Sequence, residues 1–138
     1  MEGYNHKTPI QIRFKDIDAF RHVNNANHFT YLELARVKYF DDVAGKNMEW
    51  SKQGVILASA KVDYKLPILL KDIVFVYTKC SRMGNKSFDL SYSIVKEENG
   101  KEIVVADAST VLVCYDYEKA TTIPLPEEWK KKILDFEK

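Results

Sequence analysis

One stretch of this chain, residues 26–44, spaces its apolar side chains for a helix, and nearly everything after it is spaced for strands. That contrast limits the available folds. Phe29, Leu32, Ala35, Tyr39 and Val43 recur at three- and four-residue steps and form one stripe. Leu34 and Phe40 widen the stripe, which predicts a helix buried along much of its length. Gly45 supplies a C-terminal cap. Upstream, Ile10, Ile12 and Phe14 alternate with Gln11, Arg13 and Lys15, the period-two signal of a half-buried strand.

Residues 46–54 read as an irregular connection with room for one helical turn. The next strand covers 55–64 and is limited by Pro67, which cannot donate to a central ladder. Strands 73–81 and 87–96 flank the turn Met83-Gly84-Asn85 and form a hairpin. Glu98-Asn99-Gly100-Lys101 marks a second hairpin, leading into a strand over 102–115. Pro124 and Pro126 close the sheet, and Pro126-Glu127-Glu128-Trp129 opens a terminal helix. A lone helix must cover its apolar stripe. The expected fold is therefore α+β, one domain over residues 1–138, with a curved antiparallel sheet of about five strands wrapped around one long helix. Exposed sheet edges predict self-association by edge pairing.

The formal net charge of +1 gives no reason to expect nucleic acid, although a local basic patch for a phosphorylated ligand is compatible with it. Hydrophobic residues make up 46% and charged residues 30%, the balance of a globular protein. Cys80 and Cys114 lie in apolar runs with no second Cys or His at metal spacing, which predicts reduced core thiols. The N-terminus carries an acid early and lacks the apolar core of a secretory signal. No run approaches the roughly 18 apolar residues of a membrane span. A cytoplasmic location is expected.

The stretch 16–25 breaks both periodicities and concentrates polar chemistry: Asp16, Asp18, His22, Asn24 and Asn25, with Asn27 and His28 just beyond. Asp16 and Asp18, two apart at a strand end, are spaced to project to one side. A helix N-terminus offers N–H donors and partial positive charge. A carboxylate beside such donors suits acyl transfer, with a base or nucleophile next to an oxyanion site. The same Asp and Asn residues also read as helix caps. A calcium loop from Asp16 fails, because Arg21 stands where Gly is required and Asn27 where Glu is required. Asp16, Asp18 and His22 match no recognised transition-metal spacing. Serine and cysteine nucleophile motifs and Gly-rich phosphate loops do not occur in the sequence.

Asp16-x-Asp18-x-x-x-His22-Val23-Asn24-Asn25, followed by Tyr31, Glu33, Ala35 and Arg36, resembles the signature of hotdog-fold acyl-CoA thioesterases of the 4-hydroxybenzoyl-CoA thioesterase type. The resemblance continues through Ala60-Lys61-Val62-Asp63-Tyr64-Lys65-Leu66-Pro67 and the hairpin near Gly84 and Ser87. It ends at the strand closing with Val111-Leu112-Val113-Cys114-Tyr115.

The resemblance implies hydrolysis of an acyl-CoA to free acid and coenzyme A, with Asp18 as nucleophile or as the base for a water. His22, Asn24 and Asn25 then lie around the thioester, where His22 or an Asn helps the helix N–H groups hold the oxyanion. It implies a homodimer or homotetramer with active sites at a subunit interface. No cofactor is implied beyond the coenzyme A of the substrate. Lys61, Lys65, Arg82, Lys86 and Ser87 are candidates for its phosphates; each also reads as a solvated surface residue. Phe29, Tyr31 and Leu32 border either an acyl chain or simply the core.

Two positions depart from the family pattern. Arg21 precedes His22 where the signature has Gly: a backbone that needs positive φ would strain Arg21, and the favoured reading is a slightly different loop with Arg21 turned to solvent or to an anionic ligand. His28 stands where an aromatic is usual. Glu33 has two readings: a structural ion pair with Arg36, or a second acid/base at the thioester. Alternatives to an acyl-CoA thioesterase are an acyl-carrier-protein thioesterase and an acyl-CoA-binding module without catalysis. The motif of hotdog dehydratases is not found.

Overall fold

The computed structural model describes residues 1–45 and 52–138, so most of the connection expected at 46–54 lies outside the described residues. Strand β1 (His6–Ile10) and a short 3-10 turn (Phe14–Asp16) precede helix α1 (Asn27–Val43). Strands β2 (Gln53–Tyr64), β3 (Ile73–Met83), β4 (Ser87–Glu98), β5 (Lys101–Asp116) and β6 (Thr121–Thr122) follow, and helix α2 (Glu127–Glu137) ends the chain. The antiparallel sheet runs β1-β3-β4-β5-β2, with the two-residue β6 attached to β5. The expected α+β architecture is present, a sheet folded against one long helix.

The Asn99–Gly100 hairpin has both central residues at positive φ, 54° and 76°, the geometry of a type I′ turn. At the β3–β4 turn the need for glycine is steric. A Cβ on Gly84 would stand 2.8 Å from the Ser87 carbonyl oxygen. Gly45 ends α1 at φ 97°, its N–H donating to the Phe40 carbonyl at 3.2 Å.

The strand read from Ile10 through Phe14 lies earlier in the chain, over His6–Ile10, and shares only Ile10 with that reading. Asp16 accounts for the difference. Its carboxylate accepts the Arg13 N–H at 3.1 Å and closes the 3-10 turn, which leaves Phe14 83% exposed.

Helix α1 buries Tyr31, Leu32, Ala35, Tyr39, Phe40 and Val43. They join one core with Val74, Val76, Phe88, Leu90, Ile94, Leu112 and Cys114 of the sheet. The expectation of burial along much of the helix holds for this face only. Phe29, Leu34 and Val37 are exposed, because the sheet covers one side of α1 and the apolar stripe is wider than that cover. Strand β2 pairs with β5, and no strand borders its other edge among the described residues. It presents Ile56 and Leu57 to solvent.

Helix α2 closes the open end of the core through Ile133. The Glu137 carboxylate accepts the Tyr39 hydroxyl at 2.5 Å and the Cys80 N–H at 2.6 Å. Both cysteines are unpaired, Cys114 buried and Cys80 half-buried. Burial pushes both thiols up to about 11, so they stay protonated near neutral pH.

Candidate active site

The polar stretch folds around Asp16, which is 2% exposed. Its carboxylate accepts the Tyr31 hydroxyl at 2.8 Å and the Arg13 N–H. Its carbonyl accepts the Asn24 N–H at 2.9 Å and the Asn27 side-chain amide at 3.0 Å. Burial acts to raise the Asp16 pKa, but the Arg13 N–H, the Tyr31 hydroxyl and the charges of Arg13 and Lys15 outweigh it and hold it below the usual carboxylate range. The other end of the Tyr31 bond responds in the opposite sense. Burial, then the Asp16 carboxylate, raise the Tyr31 pKa, so the phenol remains a donor.

Asp18 does something else. Its N–H donates to the His22 carbonyl at 2.9 Å, and its own carbonyl accepts the Arg21 N–H at 3.0 Å. Ile17 and Val23 form a bridge outside this pair. Ala19, Phe20 and Arg21 are thus a three-residue hairpin loop, whose third position lies in the left-handed region. Arg21 occupies it at φ 70°. The loop therefore keeps the backbone that glycine would favour, and the expectation of an altered path is corrected. Asp18 is half-buried, and its carboxylate accepts the Phe20 N–H at 2.9 Å. Asp16 faces the core and Asp18 the loop, so the expected common orientation of the two acids is also corrected. The 3-10 turn breaks the alternation that would have aligned them.

Entry into α1 is equally specific. The Asn24 side chain accepts the Ala26 N–H at 2.9 Å and closes an Asx turn. The N–H groups of Asn27, His28 and Phe29 donate to the carbonyls of Asn24, Asn25 and Ala26. The helix-start donors expected to hold an oxyanion are therefore already bonded. The Asn25 N–H, two residues before Asn27, makes no hydrogen bond among the described residues.

Beside this loop lies a cleft of about 290 Å³, lined in part by His22, Asn25, His28, Tyr64, Lys65 and Pro67. It exists because Val23, 2% exposed, donates its N–H to the Ile68 carbonyl at 2.8 Å and pins the loop to the segment beyond Pro67. Tyr64 reaches across to donate its hydroxyl to the Asn25 carbonyl at 2.8 Å. The structure thus brings His22 and Asn25 together with Lys65, while Asp18 stands outside the lining, tied to His22 through the backbone. Tyr64 and His28 were not selected as site residues from the sequence. The signals available were a tyrosine just before the strand-ending proline and a histidine in an apolar helical stripe.

The remaining candidates are elsewhere. Glu33 is exposed and forms no ion pair with Arg36 among the described residues. Arg36 instead donates to the Tyr92 hydroxyl at 3.4 Å, which in turn bonds Thr110 at 2.8 Å. The expected Glu33–Arg36 pair is corrected, because a buried polar partner on the sheet holds the arginine. Glu33 borders a second hollow with Phe29, Leu32, Leu57 and Thr110. Tyr31 and Leu32 are core residues. Arg82 is held by Asp89 at 2.8 Å and by the Ser87 hydroxyl at 2.9 Å. Lys61 pairs with Asp63 at 3.6 Å and Lys65 with Asp107 at 3.0 Å. Lys86 is exposed on the β3–β4 turn. No group of three or more His, Cys, Asp or Glu positioned for a metal occurs among the described residues. No described helix is long and apolar enough to cross a membrane.

This chain is 28% identical over 130 residues to the long-chain acyl-CoA thioesterase FadM of Escherichia coli K12, with 92% of this chain and 96% of that protein covered. A thioesterase from Thermus thermophilus, solved with coenzyme A and zinc, superposes with a TM-score of 0.83 at 34% identity, covering 99% and 97% of the two chains. A 1,4-dihydroxy-2-naphthoyl-CoA thioesterase from Synechocystis shares the fold at a TM-score of 0.82 and 20% identity, over 94% and 96% of the chains. The family model of the thioesterase-like superfamily matches residues 12–133. With its sheet folded on one long helix and that match across most of its length, the chain belongs to the thioesterase-like superfamily of hotdog-fold enzymes.

Proposed function

We propose that this thioester hydrolase acts on acyl-CoA, with the reaction carried by the loop between the 3-10 turn and α1. The observation that carries this reading is the hairpin that ties Asp18 to His22 at the rim of a cleft containing His22 and Asn25. Asp18 is the half-exposed acid of the pair and serves as base for a water or as nucleophile on the thioester carbonyl. The carbonyl carbon gains an oxygen, the C–S bond breaks, and the coenzyme A thiolate takes a proton. The Asn25 N–H, with the side chain of His22 or Asn25, supports the developing oxyanion. Asn24 acts by shaping the turn. Lys61, Lys65, Arg82, Lys86 and Ser87 are the candidates for the phosphates of the carrier. The exposed β2 edge is where a second copy pairs to make a homodimer or a larger homo-oligomer.

Thiol release measured across acyl-CoAs of different chain length, alongside Asp18→Asn, tests the proposal. Wild-type turnover that falls to background in the variant is expected. Turnover at background in both proteins would leave a binding module, and equal turnover above background would remove Asp18 from the reaction. Turnover confined to acyl groups on acyl carrier protein would move the substrate to that carrier.

A further inference from the structure

Asn25 sits between two peptide planes, and hydrogen bonds fix three of their four polar groups. The Asn24 carbonyl accepts the Asn27 N–H at 2.9 Å, and the Ala26 N–H donates to the Asn24 side chain at 2.9 Å. The Asn25 carbonyl accepts the His28 N–H at 3.3 Å and the Tyr64 hydroxyl at 2.8 Å. The fourth group is the Asn25 N–H, which makes no hydrogen bond among the described residues and belongs to a residue lining the cleft. All of these bonds close within the turn except the one from Tyr64, which arrives from 39 positions along the chain.

Tyr64 is a firm reference point because it ends β2, whose exit is fastened to β5. The Lys65 and Leu66 N–H groups donate to the Val105 carbonyl at 2.8 and 3.1 Å. The Tyr64 ring packs edge-on against His28, centroids 4.8 Å apart, yet stays 42% exposed, so its hydroxyl does not serve the core. Burial raises the Tyr64 pKa above the ordinary 10, which keeps the phenol a donor at neutral pH. The bond to the Asn25 carbonyl sets the rotation of one plane, and the bond at the Asn24 carbonyl sets the other. Together they fix where the Asn25 N–H and side chain point. A donor aimed before charge develops lowers a barrier, and one that must reorient loses that advantage. We infer that Tyr64 is a positioning residue for thioester hydrolysis, acting through the Asn25 backbone to hold the oxyanion donors of Asn25 in place at the cleft. This rests on the reading that places the reaction there.

Wild type and Tyr64→Phe are compared on the acyl-CoA that wild type cleaves fastest. Affinities are measured in parallel for acetonyl-CoA, an unreactive ketone, and trifluoroacetonyl-CoA, which adds water to give a tetrahedral mimic. Tyr64→Phe lowers kcat about 10-fold, the worth of one hydrogen bond, and leaves KM within about 2-fold. It weakens trifluoroacetonyl-CoA by about the same factor as kcat and acetonyl-CoA by much less. A second variant carries 3,5-difluorotyrosine at position 64, which keeps the ring and hydroxyl but ionises at lower pH. Its kcat falls as the pH rises through that ionisation, a loss the wild type does not share. An unchanged kcat in Tyr64→Phe overturns the inference. So does a raised KM with kcat held, or an equal weakening of both ketones, either of which would make Tyr64 a binding or purely structural residue. An active wild type beside an unchanged variant removes this inference alone, whereas a wild type that cleaves no thioester removes the hydrolase reading and the inference with it.

Discussion

The Tyr31 hydroxyl donates to the Asp16 carboxylate across 2.8 Å, and this bond separates the tasks of two acids that stand two residues apart. Asp16 is consumed by the fold, while Asp18 remains half-exposed on its loop. Tyr31→Phe is expected to lower stability by about 1.5–3 kcal/mol, the range for a hydrogen bond to a charged group. Asp18→Asn is expected to change stability by less than about 0.5 kcal/mol, as for a surface change, while thiol release is lost. Urea unfolding beside the thiol assay checks both. A Tyr31→Phe protein of wild-type stability would deny Asp16 its structural role.

Asp16 also sets an acid limit. A carboxylate held below its ordinary value contributes stability above the unfolded pKa, 3.8 here, and loses it as the pH falls through the folded one. Tyr31→Phe removes one of the bonds that depress it, so the advantage of wild type over the variant is expected to shrink in that acid range. Urea midpoints taken at neutral pH and at about pH 3 measure the change.

Arg21 carries a backbone penalty at φ 70°, where a residue with a Cβ is strained by about 1–2 kcal/mol. Arg21→Gly relieves the strain but gives the unfolded chain more freedom. The expected net result is a gain of about 0.5–1 kcal/mol and a higher Tm. Thermal unfolding of the two proteins decides it, and a lower Tm for the glycine variant would show that Arg21 makes a compensating contact.

His28 gives a pH dependence with a definite sign. Burial holds its pKa below the ordinary 6.5. Folding therefore resists protonation that the unfolded chain accepts, and stability present above 6.5 is lost as the pH falls toward the folded value. His28→Phe removes this contribution. Its urea midpoint should drop less than that of wild type between about pH 7.5 and about pH 5. Parallel losses in the two proteins would show that His28 does not contribute.

Leu57 is 46% exposed on the unpaired side of the sheet. If a second copy pairs along β2, Leu57→Lys should shift sedimentation from oligomer toward monomer while the circular dichroism spectrum of the monomer is kept. An unchanged oligomer would place the contact elsewhere.

Much of the fold was legible because its signals are local. The helical steps of Leu32, Ala35, Tyr39 and Val43, the Asn99–Gly100 turn and the Gly45 cap each depend on neighbours in sequence, and each appears in place. The expectations that failed depend on partners far along the chain. The alternation through Phe14 was real, but Asp16 found Tyr31 fifteen residues on, and the turn it closes ended the strand. Arg36 stood at ion-pair spacing from Glu33, yet Tyr92 on β4 took its guanidinium.

The sequence by itself determined the order of elements, the polar loop before α1 and the family signature, because periodicity, turn chemistry and residue spacing are written within a few positions. Only the tertiary structure decided which acid faces the core, which helix-start donors are already bonded, and that Tyr64 and His28 meet beside the loop. The Asp16–Tyr31 bond and the Tyr64–His28 contact join elements separated in the chain, and the helix-start donors depend on how the turn over Asn24, Asn25 and Ala26 closes.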